Sequence, residues 1–163
     1  MEKASLTART PDSHPWGYWV RAWLPVLIAI AVIALESTDL FGADRTSAPL
    51  RWLYEHLLGP VGDQRWKLIH HYIRKTGHFT GYGIIGLTWL RAWWMTAPRW
   101  GFWRCSLMAV LGTVLIASSD EFHQTFLPNR TGLFSDVVLD TCGAVVLQLL
   151  AFLAFRLLQP RTA

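Results

Sequence analysis

The polar stretch SSDEFHQTFLPNR, residues 118–130, separates two apolar runs and organises the rest of the chain around it. Leu107–Ala117 precedes it and Val137–Phe155 follows it. Each run, with its flanking residues, is long enough to cross most of a bilayer, for which about 20 residues are needed. Charged groups at the bilayer centre are costly, so they usually face protein or water. We therefore expect the functional site where these two spans meet the membrane boundary.

The composition is that of a small polytopic membrane protein. Of the 163 residues, 52% are hydrophobic and only 16% are charged, and ten are tryptophan, which disfavours a soluble domain. The formal net charge is +4, but the basic residues cluster at the ends of apolar runs. Such clustering is a topology signal, and it indicates a lipid bilayer rather than nucleic acid as partner. The two cysteines, Cys105 and Cys142, show neither disulfide nor metal-ligand spacing.

The hydrophobic pattern predicts an all-α fold, a four-transmembrane-helix bundle forming one domain over residues 16–158. The predicted spans are about 16–37, 77–95, 103–121 and 133–158. A cleavable signal peptide is the alternative for the first span, because Val26–Leu35 has the length of an h-region; the long n-region and Glu36 favour a retained span. In the second span Gly77, Gly81, Gly83 and Gly86 give a small-residue spacing, Gly77-xxx-Gly81 included, which predicts close helix approach.

The long connection Thr38–Thr76 contains helical periodicity on both sides of Gly59-Pro60. This pattern predicts two short amphipathic helices in the first extracytoplasmic loop, lying at the membrane surface. Asp63 is the candidate cap of the second helix. The alternative is a solvated connector with ordinary surface helices.

Orientation follows from the distribution of Lys and Arg. Eight of the fifteen lie in or near the tails and the turn between spans two and three, close to span ends, whereas six of the other seven lie in the long loop. The positive-inside rule therefore predicts cytoplasmic tails at 1–15 and 159–163, a multi-pass protein of the cytoplasmic membrane, and an outward-facing polar cluster.

Antiparallel packing of four spans brings three polar segments to the same face: the end of span one, the start of span two, and the region 120–140. Helical spacing aligns His78 with Tyr82, and Asp136 with Asp140, at i,i+4. The predicted ligand-binding residues are Glu36, Lys75, His78, Tyr82, Asp120, Glu121, His123, Gln124, Arg130, Asp136 and Asp140. Asp136 also suits a cap of the fourth span, and His70 and His71 are interpreted as interfacial.

Charge in this cluster needs compensation. Five carboxyl groups face only Lys75 and Arg130 as permanent cations. Partly out of water, so negative a cluster does not stay fully ionised and unpaired. Some carboxyls are protonated, or His78 and His123 are charged, or a divalent cation is bound. Because the spacing matches no established metal motif, we expect no cofactor, with a divalent metal as the alternative.

Four motifs together resemble the VanZ-like membrane proteins, over roughly Glu36 to Leu150. The first is Lys75-xx-His78-xxx-Tyr82, at the start of one span. Asp120-Glu121-x-His123-Gln124 and Pro128-Asn129-Arg130 then close the next span, and Asp136-xxx-Asp140-xx-Gly143 opens the last. Asn129 and Asp140 stand where the family usually has Gly and Asn. The Asp140 departure adds a possible charge in place of a neutral amide.

The resemblance implies a role at the cell envelope. The family is named for a protein that raises resistance to the glycopeptide antibiotic teicoplanin, which implies action on a lipid-linked or cell-wall component. Three functions follow: an outward-facing site that binds an envelope ligand, an enzyme acting on a polar lipid head group, or a small transporter. For the enzyme, Asp120, Glu121, His123 and His78 are the acid–base candidates and Arg130 is a phosphate clamp. We rank the binding site first and the enzyme second.

Overall fold

The computed structural model describes residues 15–38, 41–127 and 130–158, and within these ranges its regular structure is helical. Most of the predicted tails, and Pro128 and Asn129 of the predicted turn, lie outside the described residues. There are five α-helices: α1 Trp16–Glu36, α2 Ala43–Leu58, α3 Asp63–Thr96, α4 Gly101–Gln124 and α5 Phe134–Leu158. A 3₁₀ turn, Pro98–Trp100, leads into α4. The predicted all-α fold is confirmed.

Three helical segments in the described residues are long and apolar enough to cross a membrane. They are Trp16–Glu36, Pro98–Gln124 and Phe134–Leu158. These three coincide with the first, third and fourth predicted spans. Helix α3, which holds the second predicted span, is not among them: most of its Lys, Arg and His residues lie in its first half, and its second half is less apolar because it is rich in Gly, Thr and Trp.

Helix α3 differs from the prediction in extent. It runs without a break for 34 residues, which is about 51 Å at 1.5 Å per residue. The predicted second amphipathic helix and the predicted second span are therefore one helix rather than two elements. Gly62, not Asp63, is the N-cap residue, and Asp63 instead accepts a hydrogen bond from Arg51 at 2.7 Å.

Helix α3 is the centre of the bundle, in contact with α1, α4 and α5. A buried apolar cluster joins all four helices near the polar end of the bundle. Its members are Ile33, Tyr82, Ile85, Ala117 and Val137. Every helix that qualifies as a membrane span therefore packs against α3.

The tightest contact between α3 and α5 involves two of the four predicted glycines, Gly83 and Gly86, together with Gly143 of α5. A Cβ on Gly86 would lie 2.7 Å from the Cβ of Ala144, and a Cβ on Gly143 would clash with the main-chain oxygen of Phe79. A Cβ on Gly77 would meet nothing within 4 Å. Close approach to α5 is therefore found at Gly83 and Gly86 of the four predicted glycines, whereas a Cβ on Gly81 would meet Ile33 of α1 at 3.4 Å.

Helix α2 folds back onto the first half of α3. Gly59, with φ 90°, permits the reversal between the two helices. Trp66 donates its indole N–H to Ser47 at 2.8 Å, and Arg51 donates to Glu55, Asp63 and the main-chain oxygen of Val61. None of the α2 residues is buried, so the helix is attached by these polar bonds together with the contact of the Tyr54 ring with Trp66, at 5.8 Å between ring centroids.

Candidate functional site

A cavity of about 290 Å³ opens where the first half of α3 faces the segment between α4 and α5. Basic and imidazole side chains dominate its wall. They are Lys67, His70, His71, Arg74, Lys75, His78 and Arg130. Asp136 is the one acidic residue among the lining residues that the structure describes. We call this space the basic cavity.

The basic wall is a single face of α3. Lys67, His71, Arg74 and His78 recur at spacings of three and four residues, which places them along one side of a helix. The sequence interpretation treated His70 and His71 as interfacial and did not include Lys67 or Arg74. A count of basic residues at i, i+3, i+4 and i+7 from Lys67 to His78 would have found the face, had the helix been taken as continuous.

The carboxylates of the predicted site differ in whether their oxygens have hydrogen-bond or salt-bridge partners. Asp136 forms a salt bridge with Lys75. Asp120 accepts hydrogen bonds from the Tyr82 hydroxyl at 2.9 Å and from the Gln124 amide at 3.1 Å. These two carboxylates are thus held by side chains of the same site.

The carboxylates of Glu121 and Asp140 have fewer hydrogen-bond partners. One oxygen of Glu121 accepts the backbone N–H of Leu133 at 2.8 Å, but the other has no hydrogen-bond partner among the described residues. Asp140 is 0% exposed and neither of its oxygens has such a partner. His78 Nδ1 lies 3.6 Å from Asp140 Oδ1, which is a charge contact rather than a hydrogen bond.

Close approach of the chain holds Glu121 in place. The segment before α5 crosses the end of α4 so closely that a Cβ on Gly132 would clash with the main-chain oxygen of Glu121. Only glycine fits there without displacing the backbone. This crossing is what brings the Leu133 amide to the Glu121 carboxylate.

Three predicted site residues take places that the prediction did not give them. Arg130, predicted as a phosphate clamp, donates through Nη2 to the main-chain oxygens of Glu36 at 2.9 Å and Thr38 at 3.1 Å, and so fastens the end of α1. The Glu36 side chain lines a second cavity, on the other side of Arg74 and Arg130. His123 is exposed and does not line the basic cavity.

Burial disfavours the charged forms of two basic groups in the basic cavity, Arg74 and His70. Burial, and then the charge of neighbouring Arg130, lower the pKa of Arg74 below its usual value. Burial, and then the charge of Arg74, also lower the pKa of His70. Burial is the first cause of both pKa shifts, and at Arg74 the carboxylates of Asp136, Asp44 and Glu121 oppose it. Among the described residues no carboxylate forms a salt bridge with Arg74 or Lys67.

Chemically, the arrangement combines an anion site with buried acids. Guanidinium and ammonium groups donate charge-assisted hydrogen bonds to phosphate or carboxylate oxygens. His78 connects the two parts, because it lines the basic cavity and also contacts Asp140. Stacking on Tyr82, with ring centroids 6.2 Å apart and planes 15° apart, fixes the orientation of the His78 ring.

Comparison with protein families gives one match. The family model described as VanZ/LLP1 matches residues 22–156, which is most of the chain and includes every predicted site residue. Neither curated proteins nor solved structures give a significant match.

Proposed function

Since the chain belongs to the VanZ/LLP1 family, we propose that it is an integral membrane protein of the cell envelope that binds a phosphate-bearing lipid head group. The observation that carries this proposal is the basic cavity, in which Lys67 and Arg74 have no acidic partner among the described residues. A phosphate supplies the missing negative charge and accepts the hydrogen bonds that these groups offer.

The size and place of the cavity favour a lipid head group. At about 290 Å³ it lies at the lower end of small-molecule sites, which range from about 300 to 1,000 Å³. That volume suits a phosphorylated head group and not a whole glycopeptide. His78, Gln124 and Asp136, which line it, lie at or near the ends of the apolar parts of their helices, where lipid phosphates are located.

The proposal includes α3 as the fourth span. Its second half carries most of the helix's buried residues and lies among the three apolar helices. A helix surrounded by three membrane-spanning helices spans the same bilayer. With a length of about 51 Å against a hydrocarbon core of about 30 Å, α3 then projects from the bilayer by about 20 Å. The projecting part is the basic face that lines the cavity.

Lipid binding is tested by native mass spectrometry of the detergent-purified protein. The probes are polyprenyl phosphate, the corresponding polyprenol, and inorganic phosphate. We expect polyprenyl phosphate to bind at least tenfold more tightly than polyprenol, because the alcohol lacks the charge that Lys67 and Arg74 recognise. Tight binding of inorganic phosphate alone would identify a soluble anion as the ligand. Equal binding of the two lipids would contradict the proposal.

Arg74→Gln identifies the binding place. We expect it to weaken polyprenyl phosphate binding at least tenfold. Arg65→Gln is the matched control, since it removes the same charge from the same helix at an exposed position that does not line the cavity. An equal loss in both variants would mean that general positive charge, and not the basic cavity, attracts the lipid.

Orientation is tested by cysteine labelling in a Cys105→Ala, Cys142→Ala background. We propose that both termini are cytoplasmic and that the basic cavity opens outward, because the span-flanking Lys and Arg residues lie on the terminal side. A membrane-impermeant thiol reagent added to whole cells is expected to label Arg65→Cys and not Ala97→Cys. The reverse pattern would invert the orientation.

The envelope role is tested through glycopeptide susceptibility. We propose that occupancy of the basic cavity by an envelope lipid lowers susceptibility to teicoplanin. Expression in a susceptible host should raise the inhibitory concentration, and Arg74→Gln should abolish the increase while the protein still accumulates in the membrane. An unchanged increase with Arg74→Gln would separate the phenotype from the cavity.

A second candidate function is hydrolysis of the head-group phosphate ester. It is favoured by His78, which lines the cavity and contacts Asp140. His78 would accept a proton from an attacking water as the water oxygen bonds to phosphorus, and the phosphorus–oxygen bond to the lipid would break. The proton would then pass to the departing lipid alkoxide. Inorganic phosphate released from polyprenyl phosphate by the wild type, and absent with His78→Gln, would support this function; no release by the wild type would exclude it.

A further inference from the structure

Three side chains with metal-ligating atoms meet beside the basic cavity, each from a different helix: His78 of α3, Glu121 of α4 and Asp140 of α5. One ligand atom from each lies within 4.8 Å of the other two. The distance from His78 Nδ1 to Asp140 Oδ1 is 3.6 Å. Two ligands held about 2.1 Å from a tetrahedral zinc ion are about 3.4 Å apart. The spacing is therefore close to that of a metal site, and small side-chain rotations would complete it.

The same three residues carry most of the unsatisfied polar atoms at this end of the bundle. His78 Nδ1, Glu121 Oε1 and both carboxylate oxygens of Asp140 are buried without a hydrogen-bond partner among the described residues. Asp140 is 0% and Glu121 5% exposed. Buried carboxylate oxygens that accept no hydrogen bond are costly, and native structures rarely leave them so without a function.

Nearby bases do not supply the missing charge. Lys75 is paired with Asp136, and Arg130 donates through Nη2 to main-chain oxygens. Among the described residues neither Lys nor Arg forms a salt bridge with Glu121 or Asp140. Even a protonated His78 would leave one negative charge in the trio. A divalent cation compensates both carboxylates and takes a lone pair from each of the three side chains.

We propose that His78, Glu121 and Asp140 bind a divalent first-row transition-metal ion, Mn²⁺ or Zn²⁺. An imidazole nitrogen beside two carboxylates suits these ions better than an all-oxygen ion such as Ca²⁺. Three protein ligands leave a coordination position open, as in catalytic rather than structural zinc sites. Asp140 stands where the VanZ-like motif usually has Asn, so the complete trio is a property of this chain and not of the motif.

The open position explains why the trio adjoins the basic cavity. Because His78 belongs to both, an ion held by the trio can also contact a phosphate oxygen of a ligand in the cavity. This second step rests on the proposed function; the metal site itself does not. The basic face would then bind the phosphate from one side and the metal ion from the other.

Metal binding is tested on the detergent-purified chain, stripped with a chelator and titrated with Mn²⁺ followed by electron paramagnetic resonance. Zn²⁺ content after dialysis is measured by mass spectrometry. We expect one ion per chain. Glu121→Gln and Asp140→Asn should each weaken binding at least tenfold, since each amide keeps the shape and loses the anionic ligand. Glu55→Gln, at a carboxylate of α2 paired with Arg51, should bind as the wild type does.

The metal-binding and lipid-binding measurements test the metal site and the proposed function separately. Gel-filtration elution and helical circular dichroism establish that each variant is folded. A folded wild type that binds neither Mn²⁺ nor Zn²⁺, or Glu121→Gln and Asp140→Asn variants that bind as tightly as it does, would overturn the metal site. Arg74→Gln should lose polyprenyl phosphate and keep the metal. A wild type that binds polyprenyl phosphate but, when titrated, binds neither Mn²⁺ nor Zn²⁺ would overturn the metal site and leave the proposed function standing.

Discussion

Two buried polar clusters lie along the contact between α3 and α5, and they differ in how completely their hydrogen bonds are formed. In the mid-bundle cluster, Gln148 donates to the main-chain oxygen of Gly86 at 3.3 Å and accepts from the Ser106 hydroxyl at 2.6 Å. In the end cluster of His78, Glu121 and Asp140, four polar atoms have no partner among the described residues. A satisfied network stabilises a fold, whereas an unsatisfied one of this kind indicates a ligand. We therefore interpret the first cluster as structural, and the second is the cluster for which we propose metal binding.

The largest expected effect comes from Gly143→Ala, which lies between the two clusters. The added Cβ would clash with the main-chain oxygen of Phe79, and a main-chain atom cannot rotate away. We expect the free energy of unfolding to fall by about 3 kcal/mol or more. Reversible unfolding of the detergent-solubilised protein by dodecyl sulfate measures it.

Gly77→Ala is the matched control for Gly143→Ala. A Cβ at Gly77 meets nothing within 4 Å, and Ala is favoured over Gly within helices by up to about 1 kcal/mol. We therefore expect unchanged or higher stability. A loss as large as that of Gly143→Ala would mean that the helix packing is not as described.

These glycines also show how far the fold could be predicted. The apolar segments, their order and the all-α class follow from hydrophobic length alone, because a bilayer-spanning helix needs a long apolar run. Which glycine faces a neighbouring helix depends on rotation about the helix axis, and that is set by the whole packed bundle. The spacing of Gly77, Gly81, Gly83 and Gly86 carries no information on that rotation, and of these four glycines Gly83 and Gly86 lie close against α5.

Gln148→Ala should have the next largest effect. It removes the partner of Ser106 and of the Gly86 main-chain oxygen within the bundle. We expect a loss of about 1–3 kcal/mol in the free energy of unfolding, the usual cost of leaving a buried polar group unpaired. Metal binding by the end cluster should not change. Gln64→Ala, exposed in the first turn of α3, is the control and should be nearly neutral.

If Gln148→Ala were neutral while weakening metal or lipid binding, the roles assigned to the two clusters would be reversed. The same unfolding curves and Mn²⁺ titrations decide this, because a structural residue changes the first measurement and a ligand changes the second.

The candidate site could be predicted only in part from the sequence. The sequence placed His78, Glu121 and Asp140 in one region because they lie at the facing ends of three predicted spans. It did not predict that Asp120 accepts hydrogen bonds from Tyr82 and Gln124 while one oxygen of Glu121 has no partner among the described residues. These hydrogen bonds depend on side-chain rotamers and on the close crossing of the chain at Gly132. The sequence also did not reveal the basic face of α3, because the predicted loop helix ends at Thr76 and the predicted second span begins at residue 77.

Arg130→Lys should have a smaller effect, confined to the end of α1. The guanidinium donates to the main-chain oxygens of Glu36 and Thr38, and an ammonium group on a different stem does not reproduce this geometry. We expect a loss of about 1 kcal/mol in the free energy of unfolding. The matched substitution Arg45→Lys, at an exposed position of α2, should be neutral. Equal effects would show that Arg130 does not fasten α1.

The smallest expected change is that of Asp140→Asn in metal-free buffer, and it is the sharpest test of the difference between the clusters. Asp140 is fully buried, yet its carboxylate accepts no hydrogen bond from the described residues and gains only the contact with His78 at 3.6 Å. That attraction offsets the desolvation of the charge, so an amide of the same shape should leave the free energy of unfolding within about 0.5 kcal/mol of the wild type. Asp136→Asn, which breaks the salt bridge with Lys75, is the carboxylate control and should lower the free energy of unfolding by more.

With Mn²⁺ added, the free energy of unfolding of the wild type should rise because the ion binds the folded state, whereas that of Asp140→Asn should not change. A loss of about 2 kcal/mol or more from Asp140→Asn without metal would instead make His78 and Asp140 a structural ion pair, and the end cluster would then stabilise the fold as the mid-bundle cluster does.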